Sequence, residues 1–497
     1  MRFHIGLFTT LLIVFSGCNH NQKVTESDEV KQYKKFISEM NARGFNTGSI
    51  LVYKNGKVIF ESADGLRRIN PNDSLTLDSQ FRIASVSKQF TGVAIMKLKQ
   101  AGKLNYDQKV KTILSDFPYD NITIRHLLHH TSGLGDDEEL IDEYFIPQDS
   151  TKKVIIGNKV ILEVLYRVKP ELDFQPGEDW QYSNMGYTVL ASIVEKVSKQ
   201  HFRDFLKEQI FDPLEMNNSS LYKYQEAEDP RMPNRVFGYN KAINQQDLIL
   251  DDYHLINDVR GSGGVYTTLG DLFKWNMALV NYKILPKAYM DEAWSWGILN
   301  NGEKVRYGFG WKFPKDKSKT KTIYHAGGWV GFGTFVYNDI ETKSGYVVLT
   351  NDSWESFESI TDAIDSIRVG APYILQKKSM GRELLKYLFS DNIDAAISFY
   401  QNNKTDTDLY STNVYEIQNA GYELMHNNYL EEALQIFQLS IKEYPNLPNT
   451  YAAYADGLLS KGDTLKALEY YKASLKIDST FNYSKNRIQV LGNQEGM

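Results

Sequence analysis

Three short stretches of this 497-residue chain carry side chains suited to acyl transfer. In the first, Ser85 and Lys88 stand three apart within Phe81-Arg-Ile-Ala-Ser-Val-Ser-Lys-Gln-Phe90. They open a run with Phe90, Val93, Ala94 and Leu98 at helical spacing, closed by Ala101-Gly102. A serine at a helix start feels the positive end of the dipole and points its hydroxyl outward. A lysine three residues later lies on nearly the same face. Once buried, such an ammonium loses hydration, its proton affinity falls, and it can accept or relay a proton. Ser-x-x-Lys also occurs at Ser150/Lys153, Ser220/Lys223 and Ser318/Lys321, where a capping serine and a solvated lysine suffice. Ser87 competes on paper, but adjacent helix positions point apart.

The second stretch is Tyr182-Ser183-Asn184, after a Pro176-Gly177 turn and before the helix-like run 187–197. That places a phenol and a carboxamide on a loop, where functional groups are displayed. A phenol beside a cationic lysine has its anion stabilised, so Tyr182 is a candidate general base or acid. Asn184 is suited to bonding a substrate amide and holding Lys88. The third stretch, His325-Ala326-Gly327-Gly328, follows Thr322-Ile-Tyr324 on an expected strand. Its glycines allow close backbone approach. The Gly328 N–H pairs in prospect with that of Ser85 as an oxyanion hole, each donor contributing ~3 kcal/mol in the transition state.

Together these residues resemble the serine β-lactamase, DD-peptidase and esterase family, closest to its class C-like branch. The three motifs occur in the family's order with comparable gaps. Ile124-Arg-His-Leu-Leu-His-His-Thr-Ser-Gly133 and Gly263-Gly-Val-Tyr-Thr-Thr-Leu-Gly-Asp-Leu272 extend the likeness over roughly residues 45–355. The resemblance implies Ser85 as acyl acceptor, Lys88 and Tyr182 as the proton-handling pair, Asn184 for substrate positioning, and His325 on the strand lining the site. It also implies an α/β (α+β) catalytic domain, a central antiparallel sheet with a helical subdomain. The departure is the third motif. Class C β-lactamases carry Lys-Thr-Gly there, and a histidine is neutral for much of the time at pH 7. That shifts the expected substrate toward a D-amino-acid peptide of cell wall first, a small ester second and a β-lactam third.

The elements that must position these groups are legible in part. Val30, Tyr33, Phe36, Ile37 and Met40 follow a helical pattern. Residues 49–53 and 58–60 flank Asn55-Gly56, a strong hairpin signal. Thr322–Tyr337 and Gly345–Asn351 read as further strands, and the hydrolase domain is expected over residues 29–375. Beyond it the chain repeats with a period of 34: Gly421 matches Ala455, Leu424 matches Leu458, and Phe437 matches Tyr471. This stretch resembles tetratricopeptide repeats, two of them over about 414–481, with a capping helix near Ser484–Leu491. Residues 376–413 are expected as a helical linker that bridges to the hydrolase. Two repeats are marginal alone and need such support.

The N-terminus has a charged start at Arg2, an apolar run from Ile5 to Phe15, then Ser16-Gly17-Cys18. That is the layout of a secretory signal, too short for a membrane span. Ser16-Gly17-Cys18 resembles a bacterial lipobox, with Phe15 where leucine is usual. It implies a signal peptide over residues 1–18, lipidation of Cys18 and a tether over residues 19–28. The mature protein would be lipid-anchored in the bacterial cell envelope, on the periplasmic or surface side.

Cys18 is the sole cysteine, which excludes an internal disulfide and a Cys-based zinc site. The formal charge of −6 gives no basic stripe for nucleic acid. His126, His129 and His130 share a helix face but lack an acidic partner of zincin type, so no metal or other cofactor is expected. The expected partners are a small-molecule or peptide substrate and the membrane, with a protein partner possible at the repeats. A reading from another class makes the catalytic fold a scaffold and the repeats the working surface.

Overall fold

Asn55 and Gly56 both take positive φ, 52° and 72°, the twist a two-residue hairpin turn requires. They join β1 (Gly48–Lys54) to β2 (Lys57–Asp64). In this computed structural model, which describes residues 27–145, 154–222, 232–315, 321–352 and 356–494, three late strands complete the sheet. They are β3 (Thr322–Trp329), β4 (Phe332–Asp339) and β5 (Ser344–Thr350). The order is β3-β4-β5-β1-β2, every neighbour antiparallel. The signal segment, Cys18 and most of the tether lie outside the described residues, as do Ser150, Lys153, Lys223 and Ser318.

Alternation along β1 sorts side chains to two cores. Ile50 and Val52 face α1 (Asp28–Ala42), through Tyr33, Phe36 and Met40. Leu51 and Tyr53 face the main core, which holds α2 (Lys88–Gln100). Both faces of the sheet are therefore covered, and β5 is buried along its whole length. The helical subdomain contributes α3 (Ile124–His129), α4 (Asp137–Tyr144), α5 (Asn158–Val168) and α6 (Asn184–Ser198). Phe90 of α2 stacks on Trp275 with ring centres 4.2 Å apart, deep in this core. Among the described residues no helix is long and apolar enough to cross a membrane.

The C-terminal helices form their own core. Alternate helices begin at Met380, Val414, Pro448 and Asn482, each 34 residues after the last. The repeat is thus carried by helical hairpins, one more than the sequence comparison counted. The helical pair expected as a linker places Met380, Leu384, Ala396 and Tyr400 in the same core as Leu424 and Phe437. Its packing makes it the first layer of the helical module, and the actual connection is the short segment 370–377.

Candidate active site

Ser85 lies in a tight 3-10 turn, Ala84–Ser87, that feeds α2. Ala84 is held at φ 44°, a left-handed conformation that a residue with a Cβ adopts only when its surroundings impose it. The turn places the Ser85 hydroxyl beside the first residue of the α-helix, Lys88. The Lys88 side chain is fully buried. Its Nζ lies 3.2 Å from Ser85 Oγ, 2.7 Å from Asn184 Oδ1 and 2.8 Å from the Ser262 carbonyl. Burial pushes the amine down to about 7; the Asp137 and Asp136 carboxyls oppose that shift, and Lys312 adds to it.

Asn184 opens α6, capped by Ser183, whose hydroxyl accepts the Gly186 N–H at 3.2 Å and donates to the Gly135 carbonyl at 2.9 Å. The Asn184 amide nitrogen donates to Asp136 Oδ2 at 3.1 Å. Tyr182 sits just ahead, its ring centre 4.8 Å from Lys88 Nζ, with Ser85 close enough to lower the proton affinity of its hydroxyl. Burial pushes this phenol far above its ordinary range; Ser85 opposes, and Asp136 and Asp137 reinforce. The expectation of a stabilised phenolate does not describe this setting. A buried amine that is itself close to neutral supplies little countercharge, while two carboxyls stand nearby. Tyr182 is a neutral phenol here.

The edge strand β3 closes the other side. A Cβ built on Gly327 would stand 2.6 Å from the Ile83 carbonyl and 3.0 Å from the Ser85 amide nitrogen, so only glycine lets the strand meet the nucleophile turn. Gly328 is exposed and shares a cavity of about 40 Å³ with Ser85, Asn184, Asp137, Ser262 and Trp329. A larger hollow of about 850 Å³ lies between α1 and the segment 370–377, but no nucleophile–base pair faces it. Chemistry, not volume, locates the site.

His325 differs from expectation. It is fully buried and does not reach the cavity. Its Nδ1 is 2.6 Å from the Ala326 carbonyl, which only accepts, so Nε2 is the acceptor for the Tyr307 hydroxyl at 3.0 Å. Burial, with Lys312 and Lys88 adding, holds it well below its usual range and neutral. Both ring nitrogens find protein partners, so the side chain is held in the interior.

Several neighbours were not foreseen. His130 lies 4.4 Å from the Tyr182 ring centre and accepts the Ser183 N–H at 3.2 Å. His126 accepts the Thr123 N–H at 3.3 Å and His129 Nδ1 donates to the Tyr307 carbonyl at 2.8 Å. Lys312 is half-buried, its Nζ 5.3 Å from the Tyr182 ring centre. Asp136 and Asp137 follow the Thr-Ser-Gly stretch closely. That stretch, and the glycines after Ser262, were the only signals that could have drawn the eye to them.

Set against known proteins, residues 33–367 match the family described as Beta-lactamase. The chain is 33% identical over 335 residues to "Penicillin-binding protein 4*" of Bacillus subtilis, covering 66% of this chain and 73% of that protein. Its fold matches a penicillin-binding protein from Bacillus halodurans at a TM-score of 0.57 and 24% identity, over 66% of this chain and 98% of that one. It also matches D-amino acid amidase from Ochrobactrum anthropi SV3 at a TM-score of 0.55 and 22% identity, over 69% and 99%. A buried lysine against a serine at the mouth of a cavity, on this sheet and with this match across two thirds of its length, makes the chain a serine hydrolase of the β-lactamase family.

Proposed function

We propose that Ser85 is acylated by the amide of a D-amino-acid-containing peptide and then hydrolysed, a DD-peptidase-like reaction. The observation that carries this reading is the Lys88 amine, 3.2 Å from Ser85 Oγ and brought by burial to about 7. Ser85 Oγ attacks the carbonyl carbon while Lys88 takes its proton. The N–H groups of Ser85 and Gly328 receive the developing oxyanion. Tyr182, a neutral phenol, passes a proton to the departing amine as the C–N bond breaks and recovers one from the Lys88 ammonium, which leaves Lys88 neutral again. Water then cleaves the ester, returning the proton to Ser85. Asn184 holds Lys88 and borders the cavity, where it orients the substrate amide.

Lys312 supports a substrate that carries a carboxylate. It supplies the cation that the third motif lacks, from a neighbouring segment of chain. The amidase resemblance is consistent with a D-configured acyl donor. Labelling with a fluorophosphonate or penicillin probe tests the reading: an adduct is expected on wild type and none on Ser85→Ala. No adduct with any acylating probe would favour the scaffold reading. Turnover of D-Ala-D-Ala peptides, p-nitrophenyl esters and nitrocefin then ranks the acyl donors. If nitrocefin turns over fastest, the enzyme is a β-lactamase.

The envelope anchor belongs to the same proposal. Lipid attached at Cys18 would hold the hydrolase at a membrane, with the 34-residue helical hairpins, read as tetratricopeptide repeats, offering a protein-binding face. Cys18→Ala should abolish lipid labelling, and unchanged membrane retention would remove the anchor from the account.

A further inference from the structure

Behind Asn184 the hydrogen-bonded path from the nucleophile runs on to two carboxyl groups. The Asn184 amide has a donor end on Asp136 Oδ2 at 3.1 Å and an acceptor end on Lys88 Nζ at 2.7 Å. An acceptor-only partner on one side fixes which way the other end faces. Asp136 caps α4, its Oδ1 accepting the Asp137 N–H at 2.7 Å. Asp137 is 1% exposed and receives the Thr188 hydroxyl on Oδ2 at 2.8 Å. Its Oδ1 is buried with no donor among the described residues, and the neighbouring Asp136 carboxyl raises its proton affinity. Asp137 is out of water beside the carboxyl of the half-buried Asp136, and a buried carboxylate next to a like charge is not kept ionised beside it. A proton between them converts repulsion into a hydrogen bond.

We propose that Asp136 and Asp137 share one proton and act as a positioning pair, locking the Asn184 carboxamide with its oxygen on Lys88 and presenting one negative charge, not two, to that amine. This deepens the proposed function, since it rests on Lys88 as the acceptor of the Ser85 proton.

The charges around the amine decide what the pair does. Lys88 faces Asp137, Asp136 and Lys312 as charged groups. It also faces Ser85, Asn184 and the Ser262 carbonyl, and the rings of Tyr182 and Tyr187. His130 and His325 both feel its charge and are themselves held neutral by burial. Asp137 faces Asp136, Thr188 and Lys88, with Arg82 bordering the same cavity. Burial raises Asp137 well above the carboxylate range, Asp136 adds to this, and Thr188 and Lys88 oppose it. One negative charge partly offsets the desolvation of Lys88. Two would hold it protonated, and none would let its proton affinity fall further.

The test is the pH dependence of Ser85 labelling by a neutral fluorophosphonate on the full chain. Activity needs neutral Lys88, so the rate rises with pH through its titration. Asp136→Asn with Asp137→Asn together should move that acid limb to lower pH by on the order of one unit. Asp137→Asn alone keeps one charge, so it should slow labelling yet leave the limb in place. Equal shifts in the single and double variants would overturn the shared proton, and an unmoved limb in the double variant would overturn the tuning. Infrared spectroscopy of wild type at pH 7 gives a readout free of variant folding and of activity. A protonated buried carboxyl band is expected, lost in Asp137→Asn; its absence from wild type overturns the pair. Absence of Ser85 labelling at every pH would instead strike the proposed function, and the band would still report on the carboxyls.

Discussion

The ammonium of Lys312 lies 5.3 Å from the centre of the Tyr182 ring, and its charge depresses the proton affinity of Lys88. A cation in that place has two duties, attracting a substrate carboxylate and biasing the base. Lys312→Met should raise KM for a peptide ending in a free carboxylate by about 10- to 100-fold, the worth of one charge-assisted hydrogen bond. Hydrolysis of a neutral p-nitrophenyl ester should change far less. Removing a positive neighbour should also move the acid limb of the pH profile upward. Equal losses on both substrates would show that Lys312 does not read the carboxylate.

The pH profile itself follows from the opposite shifts of Lys88 and Tyr182. Lys88, lowered to about 7 by burial, must be neutral to take the Ser85 proton. Log kcat/KM should therefore climb with a slope of about one below pH 7 and level off above it. Tyr182 is pushed up by burial, so the plateau should extend through the alkaline range in which an ordinary phenol begins to ionise. An inflection near the usual lysine value, with none near neutrality, would remove Lys88 as the base.

Gly327→Ala drives a methyl group against the Ile83 carbonyl at 2.6 Å and the Ser85 amide at 3.0 Å. Overpacking of this kind costs about 1–3 kcal/mol. Here the displaced group is the nucleophile turn. Thermal melting should show the loss, and fluorophosphonate labelling of Ser85 should fall more than the melting shift explains. A variant labelled at the wild-type rate would mean that the strand does not set the site.

Among the described residues, the helical module has a core that shares no buried residue with the hydrolase. Ties between them among the described residues include Arg43 to the Asp408 carbonyl at 3.3 Å, Gln245 to Glu423 at 3.2 Å, and Ile243 packed on the helical core. A chain ending after Leu375 should therefore keep Ser85 labelling, with at most a modest drop in melting temperature. Loss of labelling in a folded truncation would make the helices part of the catalytic unit.

What the sequence could reveal followed from how local each signal is. Ser85 with Lys88, and Tyr182 with Asn184, are short motifs with chain context, and the structure brings all four side chains together. The Asn55-Gly56 turn and the 34-residue helical period are equally local and equally legible. Lys312 and His130 are single residues whose meaning arises only from what the fold sets beside them. His325 was placed on its strand correctly, but sequence alone could not say which way an isolated ring turns once Tyr307 offers it a bond. The sign of the Tyr182 shift was lost for a related reason: burial and the two aspartates outweigh the nearby amine, and neither is visible in a tripeptide.

The clash awaiting any side chain at position 327 is first of all with main chain, the Ile83 carbonyl oxygen. Trimming a neighbouring side chain, even Ala84 to glycine, would not clear that oxygen out of the way. Sites hemmed in by side chains can drift in pairs, one shrinking as the other grows, but a site hemmed in by backbone has no such partner. Position 327 is closed to compensation, so a directed-evolution search over this enzyme should leave that glycine fixed however far the rest of the pocket wanders.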